Sequence, residues 1–583
     1  MFLFLNHIKS FKVSVILKNL FPYLWTTDKK VRFKLFFSII FNLLAILATL
    51  VTPILFAYTI DNFNSSHSPS LSWLLLLLGA YVSTWSLGKV FIYLREILMF
   101  PVMERAIHSL AFHLFQHIQL LPFQYHLKRK TGEVTNIIEA AIQSFPPIVW
   151  AVTFTLGPLI IESFCVLGIV GFICGVSYSL ILAISLILYA IITHLGFMKA
   201  LRSVRKANYS HVMTTSKIVD SFLNFSSTKY FHTYDYEFQK INQTLQSREN
   251  IITKALIKDQ MIRVYQTFTL FCSFFTLMIF TGYNLMHNTL SLGEFIMIHT
   301  YMLQFTIPLE SFGQTFQILN QSFVKMEKAL KTFKKPLDVK NGQIRLNRNQ
   351  PLHIAFEDVW FGYEKKTPLL KGITFELHPN QTLAIVGETG SGKSTIVSLL
   401  LGFLQPWQGR ILVNGHELKD INQESLINSI GIVPQHVTLF NDTVAHNIFY
   451  ACMSASKKLL LNALTAANLN KTIQKLPQGL ETIVGEQGAQ LSGGEKQRIG
   501  LARAIIRQPK LYIFDEATSS LDSKTEKKIM KNIETISYNS SSIIIAHRLS
   551  TVAFADQIIL LENGVVKNKN YSSLIEEAQT AII

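Results

Sequence analysis

Three short segments in the last third of the chain carry residue types suited to phosphate chemistry. They are Gly387–Ser394 (GETGSGKS), Leu491–Arg498 (LSGGEKQR) and Leu511–Glu516 (LYIFDE). The first matches G-x-x-x-x-G-K-[ST], the P-loop pattern, in which glycines let the backbone approach phosphates closely. The third is an apolar stretch that ends in two carboxylates, where a metal ion and a water molecule can be held. Together the three segments predict a nucleotide-hydrolysing domain.

The residues around the P-loop have the order of strand, loop and helix that this motif requires. Thr382–Val386 reads as a buried strand, and a helix with an apolar face begins at Lys393. Backbone N–H groups of the loop would surround the phosphates, and the Lys393 ammonium would neutralise their β and γ oxygens. Tyr363 can stack on adenine, although a core tyrosine is the alternative for it. The predicted ATP-binding residues are Tyr363, Gly387, Glu388, Thr389, Gly390, Ser391, Gly392, Lys393, Ser394 and Thr395.

Polar side chains at the ends of predicted strands would complete the hydrolytic site. Ser394, Gln435 and Asp515 are predicted to hold Mg²⁺, Asp515 either directly or through water. Glu516 is placed to polarise the attacking water, with Gln435 in reach of it. His547 follows an apolar strand and can contact the γ-phosphate. The alternatives are an exposed strand-end acid for Glu516 and a structural histidine for His547.

Composition indicates that this domain is joined to a membrane domain. The chain has 583 residues, of which 49% are hydrophobic and 16% are charged, below the roughly 25% charge of soluble domains. From Lys340 onward, the chain contains 25 Lys and Arg residues and 21 Asp and Glu residues. Most of the net charge of +17 therefore lies before residue 340. There it flanks apolar runs, as membrane topology requires. This distribution argues against nucleic acid as a partner and favours the lipid bilayer.

Run lengths predict six membrane-spanning helices, because a span needs about 20 mostly apolar residues. Two of the six share the stretch Gln143–Met198, with a turn near Gly175–Ser179. The others correspond to the uncharged runs Leu35–Ile60, Leu71–Gly88, Val264–Gly293 and Phe295–Leu309, the last extending toward Val324.

Loop charges orient the predicted spans. The segments 61–70, 175–179 and 284–293 contain no Lys or Arg, whereas the intervening loops are basic. By the positive-inside rule, both termini and the nucleotide domain face the cytosol. The first 33 residues, in which Met1–Leu20 is apolar with scattered Lys, read as an interfacial amphipathic segment rather than a signal peptide. They are too poor in Arg for a mitochondrial presequence, which favours a bacterial inner membrane.

The expected architecture is multi-domain: an all-α six-helix transmembrane domain followed by an α/β P-loop ATPase domain. The predicted divisions are an N-terminal segment at 1–33, the transmembrane domain at 34–325, a linker at 326–350 and the nucleotide-binding domain at 351–583.

With all motifs taken together, the chain resembles an ABC half-exporter of the type IV fold. The resemblance rests on Tyr363, the P-loop, Gln435, Thr482–Gly488, the LSGGE signature, Asp515–Glu516, Ser519–Asp522 and His547. It implies that ATP lies between the P-loop of one subunit and the signature of another. Because every catalytic position is intact, a homodimer is favoured over a heterodimer. The signature residues implied to contact the partner's ATP are Leu491, Ser492, Gly493, Gly494, Glu495 and Gln497.

The membrane half resembles one subfamily, the exporters of glutathione-linked species found in mitochondrial iron–sulfur assembly and bacterial heavy-metal tolerance. The segments FPYLW at 21–25, VDSFLNFSSTKYF at 219–231 and LQFTIPLESFG at 303–313 carry this resemblance. The resemblance implies an Asn–Gln pair on the fifth span, and the chain has Arg263 and Gln266 there. Arg202 and Arg205 match the subfamily's arginines in part. These four residues are the substrate candidates, although Arg263 could instead pair with a carboxylate or extend to the membrane surface.

The sequence therefore predicts ATP-driven export of a small glutathione-linked or metal–thiol species. One alternative is the same architecture moving a lipid, a peptide or a hydrophobic drug. A second is an ATPase-gated regulator or channel that performs no uphill transport.

Overall fold

The computed structural model describes residues 20–25, 28–64, 70–128, 131–337, 342–364, 367–517, 525–526, 528–529, 531–532, 535, 540–545 and 555–567. Contacts divide the chain into two compact units. Met1–Leu121 and Arg129–Pro336 form the first, which we call the helical unit. Pro122–Lys128 and Leu337–Ile583 form the second, which we call the α/β unit.

Long helices build the helical unit, because its sequence runs apolar for many turns with few helix breakers. One short helix, α3, lies in the loop that belongs to the α/β unit. In chain order the helices are α1 Lys29–Asn64, α2 Leu71–Gln119, α3 Phe123–Lys128, α4 Thr131–Trp150, α5 Gly157–Ile173, α6 Val176–Leu223, α7 Phe225–Phe231, α8 Tyr234–Met286 and α9 Leu292–Phe333, with a π-helical segment at Ala151–Leu156.

Five helical stretches among the described residues are long and apolar enough to cross a bilayer, and each overlaps one of the first five predicted spans. They are Lys29–Phe63, Leu71–Gln119, Val134–Ile173, Val176–Gly196 and Tyr234–Met286. The fifth stretch ends at Met286, before the end of the predicted run at Gly293. Large apolar side chains on their outer faces are exposed, Phe172 by 92%. Such a surface is stable only against lipid or another apolar partner. The predicted turn between the third and fourth spans is confirmed at Gly175, which adopts φ +116°.

The sixth predicted span lies in α9, a helix of 42 residues that is not one of these five stretches of the described chain. Its uncharged run, Phe295–Leu309, is shorter than the roughly 20 residues of a full span. The N-terminus of α9 is nevertheless fixed within the unit: Asp61 accepts hydrogen bonds from Ser291 Oγ and from the Gly293 N–H, both at 2.7 Å. At its other end α9 continues to Phe333, past the boundary expected at residue 325, because its sequence stays helix-compatible.

Two β-sheets organise the α/β unit. β1 Ile354–Phe361, β2 Leu370–Leu377, β4 Gln408–Val413 and β5 His416–Glu417 form an antiparallel sheet in the order β2-β1-β4-β5. β3 Thr382–Val386, β6 Ile430–Val433, β7 Leu511–Asp515, β8 Ser541–Ile545, β9 Gln557–Glu562 and β10 Val565–Lys567 form the other, in the order β10-β9-β3-β8-β7-β6. The helices are α10 Lys393–Leu400, α11 Gln423–Ser429, α12 Val444–Phe449, α13 Lys457–Ala466, α14 Asn470–Lys475 and α15 Gly493–Ile506.

The central strands of the larger sheet are parallel and buried on both faces. β3 pairs with β8 and β9, and β7 pairs with β6 and β8, all in parallel. Continuous apolar strands are typical of such sheets, which helices cover on both sides. Because parallel strands end at the same edge, the residues after β3, β6 and β7 meet there. Ligands of open α/β sheets bind at this edge.

Candidate functional site

The P-loop follows β3 as the sequence predicted, and α10 begins at Lys393. Two glycines of the loop adopt left-handed backbone angles, Gly390 at φ +87° and Gly392 at φ +108°. A Cβ atom on Gly392 would lie 2.6 Å from Leu370 Cδ2, whereas one on Gly390 would meet nothing within 4 Å. Glycine is therefore required at residue 392 by both conformation and space, and at residue 390 by conformation alone.

Lys393 lies inside this loop. Its side chain is buried, and Nζ donates to the carbonyl oxygens of Gly387 at 2.7 Å and Glu388 at 2.9 Å. Burial lowers the Lys393 pKa, while the nearby carboxylates of Glu516 and Asp515 act in the opposite direction. An ammonium held by backbone carbonyls at the centre of a phosphate-binding loop can exchange those weak partners for phosphate oxygens.

The donors of the loop fit a polyphosphate. Among the described residues, the Oγ atom of Ser391 is buried without a hydrogen-bond partner, so the loop holds a hydroxyl donor that an anion can satisfy. Ser394 is exposed in the first turn of α10. The backbone N–H groups of a first helical turn have no hydrogen-bond acceptor within the helix. The N-terminus of α10 and its loop together form an anion site.

Glu516 and Gln435 meet at the end of the parallel strands. Gln435 Nε2 donates to Glu516 Oε2 at 2.6 Å. The register of β6 on β7 pairs Val433 with Phe514. Gln435 and Glu516, each two residues farther along its strand direction, therefore lie at the same edge of the sheet. Glu516 also adopts φ +51°, a costly angle for a residue with a side chain. This backbone turn aims its carboxylate away from the strand and toward Gln435.

The donor set at this edge fits Mg²⁺, which prefers oxygen ligands. Asp515 ends β7 and is only 9% exposed, Gln435 supplies an amide oxygen, and Ser394 supplies a hydroxyl. One buried carboxylate and two neutral oxygen donors are a ligand set that suits a small divalent cation.

Tyr363 lies at the surface beside α10 and not in the hydrophobic core. Its side chain is 51% exposed, and its hydroxyl lies 3.2 Å from Thr395 Oγ1. Its ring meets Phe361 edge-on, with centroids 5.4 Å apart. This contact holds the ring while leaving a face open for stacking.

The signature segment begins α15 with a reciprocal cap. Ser492 Oγ accepts from the Glu495 N–H at 3.4 Å, and the Glu495 carboxylate accepts from the Ser492 N–H at 2.8 Å. Ser492 and Gly493 are exposed, whereas Leu491 and Gln497 are buried in their own unit. The outer residues therefore present a helix N-terminus to the surroundings, and the inner two anchor it.

Some predicted residues fall outside the described part of the chain. These are His547 and the segment 519–522. Arg202 lies in α6, but its side chain is not described.

The substrate candidates of the helical unit do not form one cluster in the described structure. Gln266 on α8 is buried, and its Nε2 donates to Thr193 Oγ1 of α6 at 2.7 Å. Arg263, one turn away, pairs with Asp259 at 3.2 Å. Arg205 is exposed farther along α6. The two polar side chains that the sequence predicted on the fifth span, Gln266 and Arg263, are thus both bonded to residues of the helical unit.

A second buried polar group escaped the sequence analysis. Arg95 on α2 is 9% exposed; its Nη1 donates to Asn42 Oδ1 at 2.7 Å, and its guanidinium lies 4.6 Å from the Phe154 ring centroid. The second predicted span ends at Gly88, so the sequence pattern places Arg95 outside the membrane-spanning part of this helix. The signal that could have found it is an Arg inside an otherwise apolar helix.

Comparisons with known proteins match both units. The family described as "ABC transporter" matches residues 370–519, and the one described as "ABC transporter transmembrane region" matches residues 35–309. The chain is 34% identical over 565 residues to "Iron-sulfur clusters transporter ATM1, mitochondrial" of Kluyveromyces lactis, covering 95% of this chain and 78% of that protein. It is 33% identical over 556 residues to "ATM1-type heavy metal exporter" of Novosphingobium aromaticivorans, covering 94% and 91%.

A solved structure agrees with the fold. "Structure of a bacterial Atm1-family ABC exporter with ATP bound" superposes with a TM-score of 0.86 at 30% identity, covering 94% of this chain and 99% of that chain.

A P-loop ATPase fold joined to a transmembrane region defines a membrane transporter driven by ATP hydrolysis. With one region of each kind in the chain, it is half of a transport machine. The chain belongs to the ABC transporters, as a half-transporter of the Atm1 type. It is a multi-pass membrane protein that couples ATP hydrolysis to export.

Proposed function

We propose that this chain works as a homodimer that exports small glutathione-linked or metal–thiol species. One observation carries the ATP-driven part: the Gln435–Glu516 hydrogen bond at 2.6 Å, at the strand edge that also ends in Asp515. The relatives named above, an iron–sulfur clusters transporter and a heavy metal exporter, support the substrate class.

ATP would bind between Tyr363 and the P-loop. Lys393 would move from the loop carbonyls to the β and γ phosphates, and the Tyr363 ring would stack on the base. Ser394, Gln435 and Asp515 would hold Mg²⁺, which neutralises charge on the phosphates. Glu516 would accept a proton from the attacking water, with the Gln435 amide orienting its carboxylate. His547 completes the proposed set as a γ-phosphate contact.

A dimer follows from the exposed signature. Ser492 and Gly493 present a helix N-terminus, which attracts anionic phosphate. One chain has one signature and one P-loop, so a second copy would supply the other half of each ATP site. A heterodimer is the alternative, since a related chain could present the same surface.

The short helix α3 offers a route for coupling. It lies in the loop between two helices of the helical unit, yet it belongs to the α/β unit. Phe123 of α3 stacks on Phe403, with ring centroids 4.8 Å apart. Movement of the α/β unit would therefore pull on the chain at both ends of this loop, residues 122 and 128. ATP-driven closure would reach the helices through it.

Gln266 and Arg263 remain the proposed substrate contacts, with Arg202 and Arg205 farther along α6. An amide and a guanidinium suit the carboxylates and peptide groups of glutathione. We propose that the protein lies in a bacterial inner membrane with both termini in the cytosol, because the basic loops favour that side. The alternative cargoes are a lipid, a peptide or a hydrophobic drug, and an ATPase-gated channel is the other class.

The test is the ATPase rate of the protein reconstituted in lipid, measured against glutathione, its disulfide and its metal complexes. Glu516→Gln provides the blank. Stimulation by a glutathione species supports the substrate class. Basal activity that responds only to lipids or dyes rejects it while keeping the exporter. Accumulation of cargo in inverted vesicles against a gradient separates an exporter from a channel.

A further inference from the structure

Three potential metal ligands lie together on the α/β unit, in the part that the ATP chemistry does not use. They are His353, Glu376 and His378, and their donor atoms all lie within 4.8 Å of one another. His353 Nε2 is 2.5 Å from Glu376 Oε1, and His378 Nδ1 is 3.9 Å from the same oxygen. The two imidazole rings are stacked, with centroids 5.4 Å apart.

The strand register places all three side chains on one face. β1 and β2 are antiparallel, with Ile354 opposite Leu377 and Ala355 opposite Glu376. His353 directly precedes β1, and His378 directly follows β2. Because side chains alternate between faces with a period of two, His353 shares the face of Ala355, and His378 shares the face of Glu376. The convergence therefore follows from the sheet.

The backbone at both histidines is fixed. The His353 N–H donates to Asn414 Oδ1 at 2.7 Å, and its carbonyl accepts from the Asn414 N–H at 2.8 Å. The His378 carbonyl accepts from the Gln381 N–H at 3.2 Å and from Ser541 Oγ at 3.5 Å. Ligands mounted on a rigid sheet need little rearrangement to meet one ion.

We propose that His353, Glu376 and His378 form a binding site for a borderline divalent transition metal, of which Zn²⁺ fits best. Two imidazoles and one carboxylate are a ligand set that binds Zn²⁺ and leaves a fourth position for water. Ligands about 2.1 Å from a tetrahedral ion are on the order of 3.4 Å apart, so rotations of the exposed Glu376 and His378 side chains suffice. The single carboxylate charge favours a cation over an anion.

The site lies at the far end of β3 from the P-loop. His378 begins the turn that leads directly into Thr382, and β3 then runs to Val386 and the P-loop. A bound ion would join the ends of β1 and β2 at this turn. It would stabilise the α/β unit against unfolding without entering ATP hydrolysis. This site does not depend on which molecule the helical unit exports.

The test is titration of the full-length, chelator-treated protein in detergent with Zn²⁺ by calorimetry and with Co²⁺ by visible absorption. The variants are His353→Gln, Glu376→Gln and His378→Gln, and His416→Gln on β5 of the same sheet is the matched control. We expect one Zn²⁺ per chain at this site, with affinity reduced about tenfold or more by each ligand variant and unchanged by the control. Zn²⁺ should raise the melting temperature of the wild-type protein and of the control only.

Equal Zn²⁺ affinity in all four variants would overturn the proposal. So would a loss confined to His353→Gln and Glu376→Gln, because His378 would then not be a ligand and the three-residue site would be wrong. Melting temperatures measured without metal show whether each variant is folded. A double variant, His353→Gln with His378→Gln, reports any Zn²⁺ bound elsewhere in the chain, and this amount is subtracted.

Discussion

Thr193 Oγ1 accepts a hydrogen bond from Gln266 Nε2 at 2.7 Å, and both side chains are buried within the helical unit. A Cβ atom on Gly313 of α9 would lie 3.3 Å from Gln266 Oε1, so three helices meet at this amide. The residue proposed to contact the cargo is therefore held by its own chain in this conformation. Cargo binding would require Gln266 to exchange Thr193 for a new partner.

Thr193→Val should separate the structural and the binding role of Gln266. It removes the acceptor with little change in shape and leaves a buried amide unpaired, at a cost of about 1–3 kcal/mol. We expect a lower melting temperature, an unchanged basal ATPase rate and, if Gln266 binds cargo, a lower concentration for half-maximal stimulation. Gln266→Leu should abolish stimulation while keeping basal hydrolysis. Stimulation that survives Gln266→Leu would remove this residue from the proposed cargo site.

Glu516→Gln should abolish hydrolysis and keep ATP binding. The carboxylate that accepts the water proton is lost, at a cost of roughly 10²–10⁴ in rate, whereas the P-loop is untouched. Gln435→Ala should reduce the rate less, because Glu516 remains but loses the amide held at 2.6 Å. Phosphate release and a fluorescent ATP analogue measure the two quantities. A Glu516→Gln variant with near-normal turnover would contradict the assigned role.

Two glycine variants form a matched pair in the P-loop. Gly392→Ala places a Cβ atom 2.6 Å from Leu370 Cδ2 at a left-handed φ, while Gly390→Ala has the unfavourable φ without the contact. Backbone strain alone costs about 1–3 kcal/mol. We expect Gly392→Ala to lose more thermal stability and more ATP affinity than Gly390→Ala. Equal losses in the two variants would mean that Leu370 moves aside freely.

Deprotonation of Lys393 should lower the affinity for ATP at alkaline pH. Burial lowers its pKa below the ordinary value of 10.5, so in the nucleotide-free protein it loses its charge earlier than a solvated lysine. As the pH rises toward 10.5, the free energy of unfolding gains a contribution, because the unfolded chain binds more protons than the folded one. ATP affinity should fall over the same range, since binding requires the ammonium. Titrations of nucleotide affinity with pH, with Lys393→Arg as the non-titrating comparison, measure this.

Asp61 should stabilise the start of α9. It accepts from Ser291 Oγ and from the Gly293 N–H, and a charged acceptor contributes about 1.5–3 kcal/mol per hydrogen bond. Asp61→Ala should therefore lower the melting temperature, and Asp61→Asn should lower it less because one acceptor oxygen remains. Asp420→Ala, at a surface turn of the α/β unit, is the comparison. A melting temperature unchanged by Asp61→Ala would show that this cap contributes little.

The local order of strand, P-loop and helix could be predicted because neighbouring residues determine it. Gly387–Lys393 must form a tight loop with that spacing, and the apolar runs on either side must be a buried strand and a helix. The first five spans were predictable for the same reason, since length and apolarity decide them. The end of α9 at Phe333 was not predictable in this way, because a helix ends where contacts and caps end it.

The sequence by itself determined the chemistry of the ATP site and the presence of membrane helices, because short-range spacing and hydrophobicity encode both. Only the tertiary structure decided which distant side chains meet. Gln435 reaches Glu516 because β6 pairs with β7, Gln266 reaches Thr193 because α8 packs on α6, and His353 reaches Glu376 because β1 pairs with β2. These pairs depend on strand register and helix rotation. Register and rotation are set by packing over the whole unit, which no local pattern records.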